Sequence, residues 1–261
     1  TITINGIEAK KTVSLLNEQK FLKEKNPYNK LFVQQDLAKM FKIFKNSGYY
    51  FVDIKVTEKI NDNNTVEIIY DIERGDKALI KQIKFIGDKK YKARKLHSII
   101  TTEESKFWKF ISKGKYLDSE RINLDNRLLR NFYLNKGYYQ VQVENAHSQL
   151  FDKTNFSVIF KIDAGEKFLF NDLNFTIPDD FDPKKFKKIT KVFKKLKNSP
   201  YSYRKIEKIL DEIDKIAVQS NYEFIDATVS ETIVDGNKID FNFFIKESNK
   251  IYVERINILG N

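Results

Sequence analysis

The 261-residue chain contains no cysteine and two histidines, His97 and His147. A disulfide framework and a zinc site of Cys/His type are therefore excluded. The lack of cysteine does not fix the compartment, because oxidising and reducing spaces both tolerate it. No apolar run approaches the roughly 18–20 residues that a membrane-crossing helix needs. Residues 1–20 carry Glu and Lys inside a broken apolar pattern, so they are not read as a signal peptide. Glycine (9) and proline (4) are scarce, and no Walker loop, G-x-S-x-G elbow or H-E-x-x-H helix is present. The 36 acids fall mostly in polar turns and on outer helix faces, where solubility places them. No catalytic residue, metal or cofactor is assigned, and neither histidine receives a role.

Apolar and aromatic residues are abundant. Hydrophobic residues make up 41% and aromatics 14%, with 22 Phe and 13 Tyr, which is enough to build cores and excludes a wholly disordered chain. The length admits one large domain or two to three small ones.

The charge is local. Residues 181–197 hold eight lysines against one acid, Asp182, so they carry +7 of the formal +11. That distribution argues against an even nucleic-acid-binding surface. Phe186, Ile189, Phe193 and Leu196 fall on one helical face, and lysines occupy the others. Asp182 suits the N-cap and Pro183 the first helical position. The simplest reading of Lys184, Lys185, Lys187, Lys188, Lys191, Lys194 and Lys195 is a solvated helix face. The sharper readings are contact with anionic lipid headgroups or with an acidic partner.

Three landmarks recur along the chain. A strand ending in a turn, Ile2-Thr3-Ile4-Asn5-Gly6, returns as Ile83–Gly87 and Ile256–Gly260, and in degenerate form as Leu173–Ile177 before Pro178. A helix end running into a strand, Asn46-Ser47-Gly48-Tyr49-Tyr50, matches Asn135–Tyr139 and more loosely Gln219–Tyr222. An alternating strand with its exit, Val66–Gly75, matches Ser157–Gly165 and Asp240–Glu247. The landmarks move together: Gly48 to Gly137 is 89, Gly75 to Gly165 is 90, Gly137 to Asn221 is 84 and Ile162 to Ile245 is 83. Seven of the nine glycines sit at these landmarks; of the other two, Asp235-Gly236-Asn237 reads as a hairpin turn and Gly114 stands alone, so no glycine-rich phosphate loop is left to form.

Each repeat reads β-α-α-β-β. The second helix carries an apolar stripe: Leu37, Met40, Phe41 and Phe44; then Ile122, Leu129, Phe132 and Tyr133; then Ile206, Ile209, Leu210, Ile213, Ile216 and Ala217. Two helices then cover one face of a three-stranded mixed sheet, an α+β arrangement. The hairpin makes the last two strands antiparallel. The first strand lies most simply beside the last, which leaves the second strand (Phe51–Val56, Gln140–Val143, Phe224–Val229) at an edge. The expected repeats are 1–78, 79–167 and 168–249, with 250–261 the first strand of another. The junctions are short, so limited hinge motion is expected there.

Gly-Tyr-Tyr after a helix, an alternating strand ending at Gly75 or Gly165, and a strand closing on Gly-Asp or Gly-Asn together resemble the POTRA (polypeptide-transport-associated) repeat. Three in tandem are similar to the periplasmic arm of BamA-type outer-membrane β-barrel assembly factors. The middle repeat matches most fully, through Gly87-Asp88-Lys89-Lys90-Tyr91 and Phe107-Trp108-Lys109-Phe110 … Gly114-Lys115-Tyr116, which resemble the third repeat of such arms. The three units are then the second to fourth repeats. The last departs from the pattern: Asn221 replaces the glycine, Pro178 follows the opening strand, and Glu247-Ser248-Asn249 replaces the glycine exit.

The resemblance implies a location and partners. The repeats project into the periplasm from an outer-membrane barrel, which is absent from this sequence, and bind unfolded outer-membrane proteins and accessory assembly lipoproteins. The sequence is read as a segment of a longer protein. The activity expected is binding without bond chemistry, because an edge strand offers unpaired N–H and C=O groups to an extended chain. The candidate edge is Tyr139, Gln140, Val141, Gln142, Val143 and Glu144, a stretch without proline. The opposing reading is that such edges are solvated or covered by a neighbour. Of each tyrosine pair, one member is expected on the helices and the other on the surface. Trp108 is either an exposed anchor or buried on its own helix. The alternative functions are a POTRA module of another transport system and a basic nucleic-acid-binding repeat protein.

Overall fold

The computed structural model describes residues 1–106, 112, 114–149, 154–179, 181–220, 222 and 225–247. The strand expected in 250–261, and Trp108 with Phe107 and Phe110, lie outside the described residues. Among the described residues, no helix is long and apolar enough to cross a membrane. The chain forms two compact units, one of Thr1–Leu129 with Val143–Ile162, the other of Arg130–Gln142 with the residues from Asp163 on.

The first unit opens with β1 (Ile2–Asn5), α1 (Lys10–Gln19), α2 (Lys30–Asn46), β2 (Asp53–Ile60) and β3 (Val66–Glu73). Their sheet runs β1-β3-β2, with β1 parallel and β2 antiparallel to β3. The last strand is therefore central, as the repeat pattern predicts. Asn29 starts α2 by accepting the Leu31 N–H at 2.9 Å. The helix then places Val33, Met40 and Phe44 on one face, and these join Ile54, Ile68, Tyr70 and Ile72 of the sheet in one core cluster. Full burial of each such side chain is worth about 1.5–3 kcal/mol.

The same unit continues with β4 (Leu79–Asp88), the short α3 (Ala93–His97), α4 (Ser119–Leu134) as far as Leu129, and most of β5 (Gln142–Gln149) and β6 (Asn155–Asp163). The second sheet keeps the order, β4-β6-β5. Asp118 caps α4 by accepting the Glu120 and Arg121 N–H groups at 2.9 and 3.2 Å.

The second unit holds the end of α4 and then β7 (Leu169–Thr176), a 3-10 turn at Pro183–Phe186 that continues as α5 (Lys187–Leu196), α6 (Tyr203–Gln219), β8 (Ile225–Val234) and β9 (Lys238–Glu247). The order is again first-last-second: β7-β9-β8, with β7 parallel and β8 antiparallel to β9. Asp235, Gly236 and Asn237 join β8 to β9 in a three-residue hairpin loop, with positive φ of 45° and 74° at the first two, where Asp and Gly are at home. Asp182 accepts the Lys184 N–H at 2.9 Å, in its expected capping role. Phe186, Ile189, Phe193 and Leu196 are buried, and the Phe193 ring stacks on Phe243 of β9 and meets Phe175 of β7 edge-on.

The second strands differ from expectation in their bounds. They span 53–60, 142–149 and 225–234 instead of 51–56, 140–143 and 224–229, and Phe224 lies outside the described residues. The first two start later because the chain completes a tight turn after the helix: Val52 N–H bonds back to Tyr49, and Val141 N–H to Tyr138. In the first sheet the strand runs on because Thr57, Glu58, Lys59 and Ile60 continue the pairing with Ile69 to Val66 of β3; all four are exposed, which leaves no alternation for a sequence pattern to register.

Candidate functional site

Strands β2, β5 and β8 each form an edge of their sheet. An edge strand presents unpaired backbone groups, and proteins usually protect it with charge, lysine above all. The three edges differ in that protection. β2 carries Asp53, Lys55, Glu58 and Lys59; β8 carries Asp226 and Glu231; β5 carries one acid, Glu144, and no lysine. Along β5, Gln142 and Glu144 are exposed while Val143 and Asn145 are half-buried, the alternation of a strand with one covered face. Glu144 meets Lys161 of β6 at 3.9 Å, a loose exposed pair worth little.

Only Gln142, Val143 and Glu144 of the expected edge are in a strand. Tyr139 and Gln140 form a turn, and Val141 is buried. The cause is Gly137, whose left-handed φ of 98° ends α4 and turns the chain so that the Tyr138 N–H bonds Tyr133 at 3.1 Å. Tyr139 is held elsewhere. Its ring lies 5.5 Å from Phe168 and 5.0 Å from Tyr201, and its hydroxyl donates to Glu231 at 2.6 Å. Burial, followed by that hydrogen bond, pushes its pKa up to about 12. Tyr50, the matching residue 89 positions earlier, packs 5.6 Å from Phe156. The second tyrosine of each pair is therefore a joint residue, not a surface one. Tyr138 is buried and Tyr49 half-buried, as the pairing on the helices predicts.

Each joint also has a backbone part. The Gly48 carbonyl accepts the Ala78 N–H at 2.8 Å, and the Gly137 carbonyl accepts Phe168 N–H at 2.8 Å. Leu117 N–H bonds Ala78 at 2.9 Å, and Tyr201 N–H bonds Phe168 at 2.9 Å. The side-chain parts differ: Lys42 pairs with Glu120 at 2.8 Å in one, while Asn135 accepts Ser202 Oγ–H and Arg204 N–H at 3.0 and 2.8 Å in the other.

Two buried carboxylates escaped the sequence reading. Asp36 of α2 accepts Phe21 and Leu22 N–H at 2.6 and 3.1 Å; Asp125 of α4 accepts Thr101 and Thr102 N–H at 2.6 and 2.9 Å. They stand 89 apart, the repeat spacing, and that spacing was the available signal. Each ties the loop before its helix to the helix. The corresponding position 84 residues on is Ile209.

The seven candidate lysines, Lys184 to Lys195, are all exposed on the 3-10 turn and α5. Lys185 lies 4.7 Å above the Tyr222 ring, and Lys188 pairs with Glu212 at 2.6 Å. His97 is exposed, with its ring edge-on to Phe85 at 5.0 Å.

The model of the POTRA family, described as surface antigen variable number repeat, matches residues 1–75 and 78–165. The chain is 29% identical over 212 residues to an outer membrane protein assembly factor BamA of Buchnera aphidicola, covering 80% of this chain and 34% of that one. It is 23% identical over 238 residues to the BamA of Neisseria meningitidis, covering 90% and 29%. The chain thus spans about a third of the length of these relatives. In fold it resembles the crystal structure of Haemophilus influenzae BamA POTRA3-5, at a TM-score of 0.55, 17% identity and 94% coverage of both chains. With the family model covering more than half of its length and the first-last-second strand order present in all three sheets, the chain belongs to the POTRA family, as a segment of the BamA type.

Proposed function

We propose that this chain is a periplasmic arm of an outer-membrane β-barrel assembly factor. It has repeats at 1–78, 79–167 and 168–249, and a further repeat begins at 250–261. Its activity is capture without bond chemistry. An unfolded outer-membrane protein, or an extended segment of an accessory lipoprotein, adds as a strand to an exposed edge, and β5 is the principal edge. The observation that carries this reading is the composition of β5: an edge strand of eight residues with one acid and no lysine. Backbone pairing ignores side-chain identity, which suits a receptor for many clients. Four to six hydrogen bonds, each worth about 0.5–1.5 kcal/mol net, less the ordering of the client, give weak and reversible capture.

The test is photo-crosslinking in cells from Gln142 and Glu144 of the full-length parent, with Asn131 on the exposed face of α4 as reference. Trapped outer-membrane proteins or accessory factors at the two strand positions, and none at Asn131, are the expected result. Equal trapping at all three, or none at β5, removes the edge from the proposal.

A further inference from the structure

The third sheet's helical layer carries a charged face that strand capture does not use. At 100° per residue, Lys187, Lys188, Lys191, Lys194 and Lys195 fall within about 120° of arc on α5. They lie opposite the ridge of Ile189, Phe193 and Leu196, which is buried. Lys188 pairs with Glu212; among the described residues, Lys187, Lys191, Lys194 and Lys195 have no carboxylate within ion-pair distance. The stripe repels itself, because Lys187–Lys191, Lys188–Lys191 and Lys191–Lys195 are spaced three or four apart. Lys187 and Lys188 also stand in the first helical turn, where the helix dipole disfavours cations. An anionic surface relieves all of these at once.

An apolar groove of about 210 Å³ runs beside the stripe, between α5 and α6. Ile189, Val192, Leu196 and Ile209 line its apolar part; Lys205 and Lys208 bring further positive charge to it, and its one carboxylate, Glu212, is paired with Lys188. Val192 is 37% exposed at its mouth. Ile209 stands where the first two repeats place Asp36 and Asp125.

We propose that this face docks on the surface of an anionic phospholipid bilayer, with the lysines among the headgroup phosphates and Val192 against the interfacial methylenes. Two features favour a lipid surface over an acidic protein. The stripe contains no arginine. A lysine ammonium is a point charge on a flexible stem, suited to a diffuse anionic plane, whereas a fixed carboxylate array is read better by the guanidinium fork. The stripe also lies on the outward ridge of a helix, so a flat partner reaches all five lysines together.

Vesicle flotation of the chain tests this, with pure phosphatidylcholine against phosphatidylcholine mixed with phosphatidylglycerol. Binding only to the anionic vesicles is expected, and it should collapse as salt shortens the Debye length from about 10 Å at 0.1 M to about 3 Å at 1 M. Each lysine near an anionic surface contributes about five-fold in partitioning. The variant Lys187→Gln/Lys191→Gln/Lys194→Gln/Lys195→Gln should therefore lose at least about ten-fold. A variant of equal charge loss in the first repeat, Lys10→Gln/Lys11→Gln/Lys30→Gln/Lys59→Gln, should lose less than about two-fold. Circular dichroism shows whether both remain folded. No binding to anionic vesicles at low salt overturns the proposal. So do equal losses in the two variants, which reduce the effect to net charge, and tighter binding of poly-glutamate than of vesicles, which transfers the face to an acidic protein.

Discussion

The first two repeats and the third reach the same strand order by different local means. In the first two, a buried aspartate on the second helix collects two loop amides, Phe21 and Leu22 for Asp36, Thr101 and Thr102 for Asp125. In the third, Ile209 occupies that position, buried and beside an apolar groove. The matched family model covers 1–75 and 78–165, the two repeats that keep the aspartate. The comparison separates two layers of specification. Strand order follows from the alternating strands and the helix stripes, which all three repeats share. The carboxylate pins a loop, and an apolar residue substitutes for it once the loop no longer presents those amides, since removing both partners of a buried polar contact is close to neutral.

Four experiments test that contrast. Ile209→Asp should be the most damaging, because it buries a carboxylate against Ile189 and Leu196, while the nearby Lys205 ammonium is already held by Ser199 Oγ. A loss of about 3–5 kcal/mol is expected in urea unfolding followed by circular dichroism. Asp125→Ala strands the buried Thr102 amide and the half-buried Thr101 amide, and should cost about 2–4 kcal/mol by the same measurement. If Ile209→Asp proves harmless while Asp125→Ala is costly, the two positions are not counterparts.

The joints provide a smaller contrast. Gly48 and Gly137 both hold left-handed φ, 92° and 98°, but a Cβ at Gly48 would sit 3.0 Å from Tyr116 Cβ, whereas one at Gly137 would sit 3.5 Å from Lys167 Cγ. Gly137→Ala should cost about 1 kcal/mol, the backbone term alone, and Gly48→Ala about twice that. Equal costs in urea would show that the Tyr116 side yields freely. The smallest effect is one of pH. Burial and the bond to Glu231 raise the Tyr139 pKa from its ordinary 10 to about 12. A raised folded-state value means that the stability contributed is fully present below pH 10 and is lost as pH climbs through 12. Phenolate absorbance of the wild type against Tyr139→Phe should show one tyrosine fewer titrating at that upper end. Glu231→Gln should move that titration downward.

Much of the architecture was legible in the repeat arithmetic. Spacings of 89–90 and 83–84 between glycines and strand ends already imply three copies of one sheet, and the Asp235-Gly236 turn carries its geometry in its residue types. The edge itself was read imperfectly. Tyr139, Gln140 and Val141 alternate like a strand, but the turn after Gly137 and the ring contacts of Tyr139 with Phe168 and Tyr201 are non-local and leave no pattern in the local sequence. Asp36 and Asp125 looked like polar positions on a solvated helix face, because their partners are backbone amides 14 to 24 residues away, which carry no residue identity. The lysines of α5 were visible as a run. Their confinement to one arc follows from the helical period, but the groove beside them required the α5–α6 packing.

In the proposed function, β5 is a bare flank that accepts a strand. Amide NMR of the isotope-labelled chain, titrated with an extended peptide of alternating apolar and polar residues, reads this directly. Shifts at alternate amides along Gln142–Gln149, with α4 and the central strand β6 little changed, are the predicted result. Shifts confined to the helices or to another sheet, or an unresponsive β5 at saturating peptide, would contradict it.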